Sequence, residues 1–212
     1  MRIPENGERP AAASPAENLP AFGERRVTFP SWSSLPENGM GRSAVLVPLF
    51  RSEGAFLILF LRRSPHLTRH GGEICFPGGM RDDSDESPLM TALRETEEET
   101  GIPPAAVKPL LLLPSELTVV SSVEVFPVLG IVSGIDPEKD LVLPPSEIAA
   151  ACTADMAAFP ERPRRKEFLI DGHVRSYPEY DLPDGSVVWG VTARILEKVL
   201  AFRKKGEEEW RK

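Results

Sequence analysis

The 212-residue sequence is short of cysteine and histidine, has no long apolar run and carries no surplus of positive charge. Two cysteines, Cys75 and Cys152, allow at most one bridge and have no metal-ligand spacing. That excludes a disulfide scaffold or a zinc finger, and reduced thiols are the simpler reading. Of the three histidines, His66 and His173 also lack ligand spacing and read as surface residues. No stretch approaches the ~18 apolar residues of a spanning helix, and the opening MRIPENGERP has no apolar leader core. Neither a membrane nor a secretory route is expected, and the location expected is cytoplasmic. With 25 Lys and Arg against 32 Asp and Glu, the net charge is −7. Such a chain has no general electrostatic drive towards nucleic acid or membranes. An anionic small molecule held by a local basic cluster, or through metal ions, remains open. There is no internal repeat.

What is present is ordinary soluble protein: 41% apolar and 27% charged residues, at a length that suits one domain with extensions. Residues 1–40 are rich in Pro and Ala and read as a flexible tail with a short ordered stretch around Val27 to Trp32. Residues 41–205 form the domain, and residues 206–212 a charged end. "SAVLVPLF" and "AFLILFLRR", separated by "RSEG", read as a hairpin. "GGEICFPGG" is extended and closes in a glycine turn where backbone can approach a ligand. "VKPLLLLPSE" and "VEVFPVLGIVS" read as strands, and "RRKEFLIDGHVRSYPEY" as a hairpin about Asp171-Gly172. "PPSEIAAACTADMAAF" reads as a short helix, and "VVWGVTARILEKVLAFRKK" begins extended and becomes a closing amphipathic helix. Strands mixed with two or three helices indicate an α/β or α+β layered domain.

The stretch "ALRETEEETGI" places Glu95, Glu97, Glu98 and Glu99 at the end of a helix that Asp85 or Ser87 can cap and Gly101 can end. Carboxylates there oppose the helix dipole, by about 0.3–1 kcal/mol each. At about 100° per residue, Leu89, Ala92, Leu93, Thr96 and Thr100 form the core stripe. By the same arithmetic Glu95, Glu98 and Glu99 share an arc of roughly 100° beside it, and Glu97 falls outside. Converging carboxylates at i, i+3 and i+4 suit Mg²⁺ or Mn²⁺, while a solvated acidic face is the plain alternative. An EF-hand does not fit: the run Asp82 to Glu86 lacks the loop glycine and the closing glutamate.

The segment before the helix tips this balance. Gly79, five residues, Asp85, eight residues and then Arg94-Glu95-Thr96-Glu97-Glu98-Glu99-Thr100-Gly101-Ile102 resembles the signature of the Nudix hydrolases. That signature reads G, five residues, E, seven residues, then R-E-U-x-E-E-x-G-U, where U is a bulky apolar residue. The chain departs from it by Asp85 for Glu, by one extra loop residue and by Thr96 at an apolar position. The resemblance implies an α/β/α sandwich with a mixed central sheet. It implies Glu98 and Glu99 as ligands of Mg²⁺ or Mn²⁺, and Glu95 as a further ligand or the base acting on water. Arg94 would hold these carboxylates, the Gly78 carbonyl would be an extra ligand, and Asp85 would support or cap the helix.

Two further stretches resemble the coenzyme A pyrophosphatase subgroup. "LRRSPHLTRHGGEICFPGG" matches at Arg63, Ser64, Gly72 and Phe76 to Gly79, with Arg69 one place late, and "VVWGVTARIL" matches downstream. The implied reaction hydrolyses the pyrophosphate of coenzyme A, a small-molecule substrate, to 4′-phosphopantetheine and 3′,5′-ADP. The alternative within the family is another nucleoside diphosphate derivative such as ADP-ribose, and outside catalysis a ligand-sensing domain. Arg62, Arg63, Arg69 and His70 form a basic cluster suited to phosphate, with Gly79 beside it. Trp189 and Ile195 are expected in the core, Arg194 as an ion-pair partner, and Cys75 as a small buried residue near the glycine turn. Glu147 stands as an additional ligand or base, or simply as a favourable helix-start carboxylate. The sequence leaves monomer and homodimer both open.

Overall fold

The computed structural model describes residues 28–118, 122–170 and 172–209. Most of the expected tail, residues 1–27, and the end of the chain, residues 210–212, lie outside them. Strand β1 (Gly41–Ser52) turns at Glu53 and Gly54 into β2 (Ala55–Arg63). Both turn residues have positive φ, 43° and 86°, the backbone that a two-residue hairpin requires. Two short strands follow, β3 (Ile74–Cys75) and β4 (Gly78–Met80), and then helix α1 (Pro88–Thr100). The chain continues through β5 (Val107–Leu112), β6 (Glu116–Leu117), β7 (Val123–Val132) and β8 (Ile148–Asp155). It closes with β9 (Arg164–Ile170), β10 (His173–Asp181), β11 (Val187–Val188) and helix α2 (Gly190–Glu209).

The main sheet runs β3-β2-β1-β7-β5, with β4 on β1, β6 on β7 and β8 on β2. Its central pair, β1 and β7, is parallel over ten residue pairs, from Gly41↔Val123 to Phe50↔Val132, and the other pairs are antiparallel. The sheet is therefore mixed, as expected. A smaller sheet, β11-β10-β9, lies beside α2.

Both faces of β1 are covered, which is why it reads as an almost unbroken apolar run. Ala44, Leu46 and Phe50 pack in one core cluster with Ala92 of α1, Phe126 and Val128. Val47 and Leu49 pack in the other with Ala193, Ile195 and Leu196 of α2. Two helices on opposite faces give the α/β/α layering. At Gly130 of β7 a Cβ would sit 2.9 Å from Val107 and 3.1 Å from Leu46, so only glycine permits that approach. The start of α2 is tied to the sheet by Glu116, which pairs with Arg194 at 3.2 Å and Lys198 at 2.6 Å. Arg194 is thus the ion-pair partner expected.

Two expectations are corrected. Residues 148–155 form β8, paired with β2 from Leu57↔Asp155 to Arg63↔Ile148, and not a helix. Alanine's helix propensity is a weak prior that pairing to a central hairpin overrides. Trp189, expected in the core, is 44% exposed at the junction of β11 and α2, whereas Ile195 is buried. Within the expected tail, Trp32 is 1% exposed, and it anchors residues 28–36 against the α1 face. No helix among the described residues is long and apolar enough to cross a membrane.

Candidate active site

Helix α1 begins where the Ser87 hydroxyl accepts the Met90 amide at 3.3 Å, with Pro88 in its first turn. Ser87, not Asp85, is therefore the cap. The helix ends at Gly101, whose φ of 73° suits a residue without a Cβ. Along its buried face Thr96 and Thr100 each donate a hydroxyl to the carbonyl four residues back, both at 2.6 Å. That satisfies both buried hydroxyls, including Thr96, which stands where the Nudix signature has an apolar residue.

The acids separate by depth. Glu99 is 3% exposed, whereas the side chains of Glu95 and Glu98 are 19% and 59% exposed. Glu99 meets the place where the sheet splits. β1 leaves β2 after Leu49↔Ile58 and takes up β4 at Val45↔Gly78. There the Gly78 amide donates to Glu99 Oε2 at 2.9 Å, and Arg63 Nη1 lies 3.6 Å from Glu99 Oε1. Glu95 packs so closely over β4 that a Cβ on Gly79 would lie 2.4 Å from its Oε2. Burial pushes the Glu99 carboxyl up to about 7, Glu95 and Glu147 adding to the rise against the Gly78 amide and Arg63. Burial raises the Glu95 carboxyl too, against the pull of Arg94.

Arg94 organises the other side. Its Nη1 reaches Glu95 at 2.9 Å and Glu98 at 3.2 Å, and its Nε and Nη2 donate to Asp85 at 3.2 and 2.9 Å. Nη2 also donates to the Met80 carbonyl at 3.1 Å. Asp85 is buried, which alone would raise its carboxyl. Hydrogen bonds from Arg94, the Asp82 amide and Thr91 instead hold it below the usual range.

Of the residues singled out in the sequence, Arg94, Glu95, Glu99, Gly78, Gly79 and Arg63 come together at the split, and Glu98 stands at the rim. Arg62 turns to the other side of β2 and pairs with Asp184 at 2.7 Å. Arg69 and His70 are exposed on the loop between β2 and β3, where His70 is 3.0 Å from Glu73. Glu147, beside the end of β2, accepts the Ser64 amide through its carbonyl at 2.7 Å. Cys75 is half-buried, and burial, then the nearby Glu99 charge, pushes its thiol up to about 12. A pocket of about 120 Å³ opens from the split onto the α2 face, lined by Arg63, Cys75, Gly78 and Gly79 on one wall and Val191, Thr192 and Ile195 on the other.

Trp32 and Thr91, neither of them marked as a site residue by the sequence, stand behind Asp85. The Trp32 indole donates to Thr91 at 3.2 Å, and the Thr91 hydroxyl donates to Asp85 at 2.9 Å. Trp32 precedes any periodic segment, and Thr91 lies off the apolar stripe. Among the described residues no three acidic, His or Cys side chains stand close enough to form a complete metal-ligand set. The site nevertheless suits a hard divalent cation: Glu95 and Glu99 are desolvated and face glycine backbone, and with Glu98 and Asp85 the four carboxylates outnumber the two cations among them, Arg63 and Arg94.

The chain matches the family described as NUDIX domain over residues 40–172. It is 35% identical over 165 residues, 74% of this chain and 80% of the relative, to an Escherichia coli K12 protein described as the uncharacterized Nudix hydrolase NudL. A Shigella boydii protein of the same description matches with the same identity and coverage. A solved MutT/nudix family protein from Enterococcus faecalis shares the fold, with a TM-score of 0.52 at 17% identity over 77% of this chain and 62% of that one.

Proposed function

The chain belongs to the NUDIX domain family, and from that premise we propose that it is a divalent-metal-dependent hydrolase that cleaves the pyrophosphate of coenzyme A or its derivatives. One observation carries the choice of substrate. The two stretches that resemble the coenzyme A pyrophosphatase subgroup lie more than a hundred residues apart in sequence, yet they form opposite walls of one pocket beside the acids. Arg63 is the cationic side chain in that wall, placed to contact a phosphate while still facing Glu99.

Glu95 and Glu99 would hold Mg²⁺ or Mn²⁺, with Glu98 and the Gly78 carbonyl contributing. The ion supplies charge neutralisation on the phosphoryl oxygens and a water that is nucleophilic at neutral pH. Arg94 keeps Glu95 and Glu98 turned to the site, and β4 presents backbone without side-chain bulk. Where Glu98 and Glu99 hold the ion without it, Glu95 would take the water proton; otherwise Glu147, from its neighbouring turn, would do so. Unbridged Cys75 and Cys152 accord with a reducing cytoplasm.

The test is product analysis of coenzyme A incubated with Mg²⁺ and with Mn²⁺, using Glu98→Gln as control and ADP-ribose and dinucleoside polyphosphates as competing substrates. The expected products are 3′,5′-ADP and 4′-phosphopantetheine. Absence of both under either metal, with turnover of another nucleotide, would replace the substrate assignment. Arg63→Ala should lower kcat/KM on coenzyme A, and comparison with 3′-dephospho-coenzyme A shows whether Arg63 reads the 3′-phosphate.

A further inference from the structure

The hydrogen bonds behind Arg94 begin outside the segment that matches the family, which starts at residue 40. Trp32 is held there from several directions. Its ring meets Phe126 edge-on at 5.0 Å between centroids, and the Arg42 and Arg81 guanidinium carbons lie 5.7 and 5.8 Å from the ring centroid. Its amide donates to the Glu86 carbonyl at 2.9 Å. Arg42 donates to the carbonyls of Trp32, Leu35 and Pro36 at 2.8, 3.1 and 2.6 Å. The indole is therefore fixed both in ring plane and in backbone.

An indole N–H can only donate, and a threonine hydroxyl has one proton to give. Trp32 Nε1 donates to a lone pair of Thr91 Oγ1 at 3.2 Å, which turns the hydroxyl proton away from the indole and towards Asp85 Oδ2 at 2.9 Å. The competing acceptor, the Ser87 carbonyl, is farther away at 3.4 Å. Asp85 in turn takes two hydrogen bonds from Arg94, which holds Glu95 and Glu98. Asp85 is one methylene shorter than the glutamate of the signature, and the Thr91 hydroxyl helps to fix this shorter carboxylate.

We infer that Trp32 is a positioning residue of the site. By directing the Thr91 hydroxyl at Asp85 it fixes the carboxylate that orients Arg94, and through Arg94 the carboxylates of Glu95 and Glu98. The segment before residue 40 is then part of the catalytic apparatus. The inference rests on the reading of those glutamates as metal-holding groups.

The test uses the full chain and four variants: Trp32→Phe, Thr91→Val, their combination, and Phe126→Leu. The first keeps the ring and removes the N–H, the second removes the hydroxyl, and the last loosens the Trp32 packing without touching the relay. Two properties are read: the Arg94 Nε–H resonance in metal-free protein, and Mn²⁺ affinity by calorimetry. Trp32→Phe and Thr91→Val should each shift the Arg94 resonance and weaken Mn²⁺ binding about tenfold, as losses behind metal ligands commonly do. The combination should be no worse than Thr91→Val, because both break the same link. Phe126→Leu should lower Tm and leave both readings in place. An unmoved Arg94 signal in the two single variants, additive losses, or an equal effect of Phe126→Leu overturns the inference. If Trp32→Phe does not fold, the Trp32 indole N–H resonance decides: it should move in Thr91→Val together with the Arg94 signal, and an unmoved indole signal overturns the inference. Should the wild type bind no Mn²⁺, the metal reading fails, while the Arg94 signal still decides the relay.

Discussion

The carboxylate of Glu99 accepts the amide of Gly78 at 2.9 Å from inside the protein, at the point where two strands part. A carboxylate so placed is easier to protonate than one in water, and its carboxyl is pushed up to about 7 from an ordinary 4.5. Between pH 4.5 and 7 the folded chain therefore binds more protons at Glu99 than the unfolded chain does, and metal-free stability falls as pH rises through that window. The ionised side chain costs on the order of 3 kcal/mol above pH 7. Glu99→Gln should raise the metal-free Tm at pH 8 and flatten its decline from pH 4.5 to 7, as thermal melts in chelator-treated buffer would reveal. A variant with the wild-type slope would remove Glu99 as its source.

A divalent cation should relieve the same cost. Saturating Mg²⁺, at about a hundred times its dissociation constant, adds roughly 2.7 kcal/mol to the folded state. For a chain of this size that is a Tm rise of about 5–10 °C. The rise should be larger at pH 8 than at pH 6, because protons compete for Glu99. It should vanish in Glu99→Gln and shrink in Glu95→Gln. Equal melts with and without the metal at pH 8 would argue against binding.

Arg94 is worth more to the fold than an exposed arginine, because it neutralises buried Asp85. Arg94→Ala leaves that carboxylate with only the Asp82 amide and Thr91, at a cost of about 3 kcal/mol. The expected fall in Tm is roughly 6–12 °C. Acidification towards the pH at which Asp85 protonates should recover part of the loss. Arg94→Lys, which lacks the bidentate fork, should keep more of the stability than of the activity.

Gly78 and Gly79 should fail differently when changed to alanine. At Gly78, with φ of 150°, the new Cβ would lie 2.4 Å from the Ala44 carbonyl oxygen and 2.5 Å from Val45 Cα, both backbone atoms that cannot turn aside. Loss of roughly 3 kcal/mol or more is expected. At Gly79 the obstacle is the Glu95 side chain. Rotating it away preserves the fold and spoils the site, so Gly79→Ala should melt near wild type and lose about 10–100-fold in metal affinity. Paired melts and Mn²⁺ titrations would separate the two.

What could be read from the sequence was local. The β1–β2 hairpin, the boundaries of α1 and its acidic arc follow from periodicity, caps and glycine, which act within a few residues. Depth did not follow. Glu98 and Glu99 are neighbours on one arc, yet β4 and Arg63 bury only Glu99. Residues 148–155 turned from helix to strand because β2 offered a free edge. Trp189 stayed outside because the turn into α2, with Gly190 at φ 64°, leaves it exposed. Trp32 was invisible as a site residue because its partner Thr91 is fifty-nine residues away.

The ten-pair parallel register of β1 against β7 has a kinetic corollary. The chain between those strands includes all of α1, so the loop closed by their pairing contains the acids themselves. Closing so long a loop is entropically slow, and it precedes the reward of sheet contacts. Helix α1, which carries the acids, packs on β7 as well as on β1 and β4, so its seat is complete only when β7 has docked. During refolding, the protected Glu99 should emerge in the same phase as the sheet, and a chain still lacking β7 on the ribosome should have no finished site.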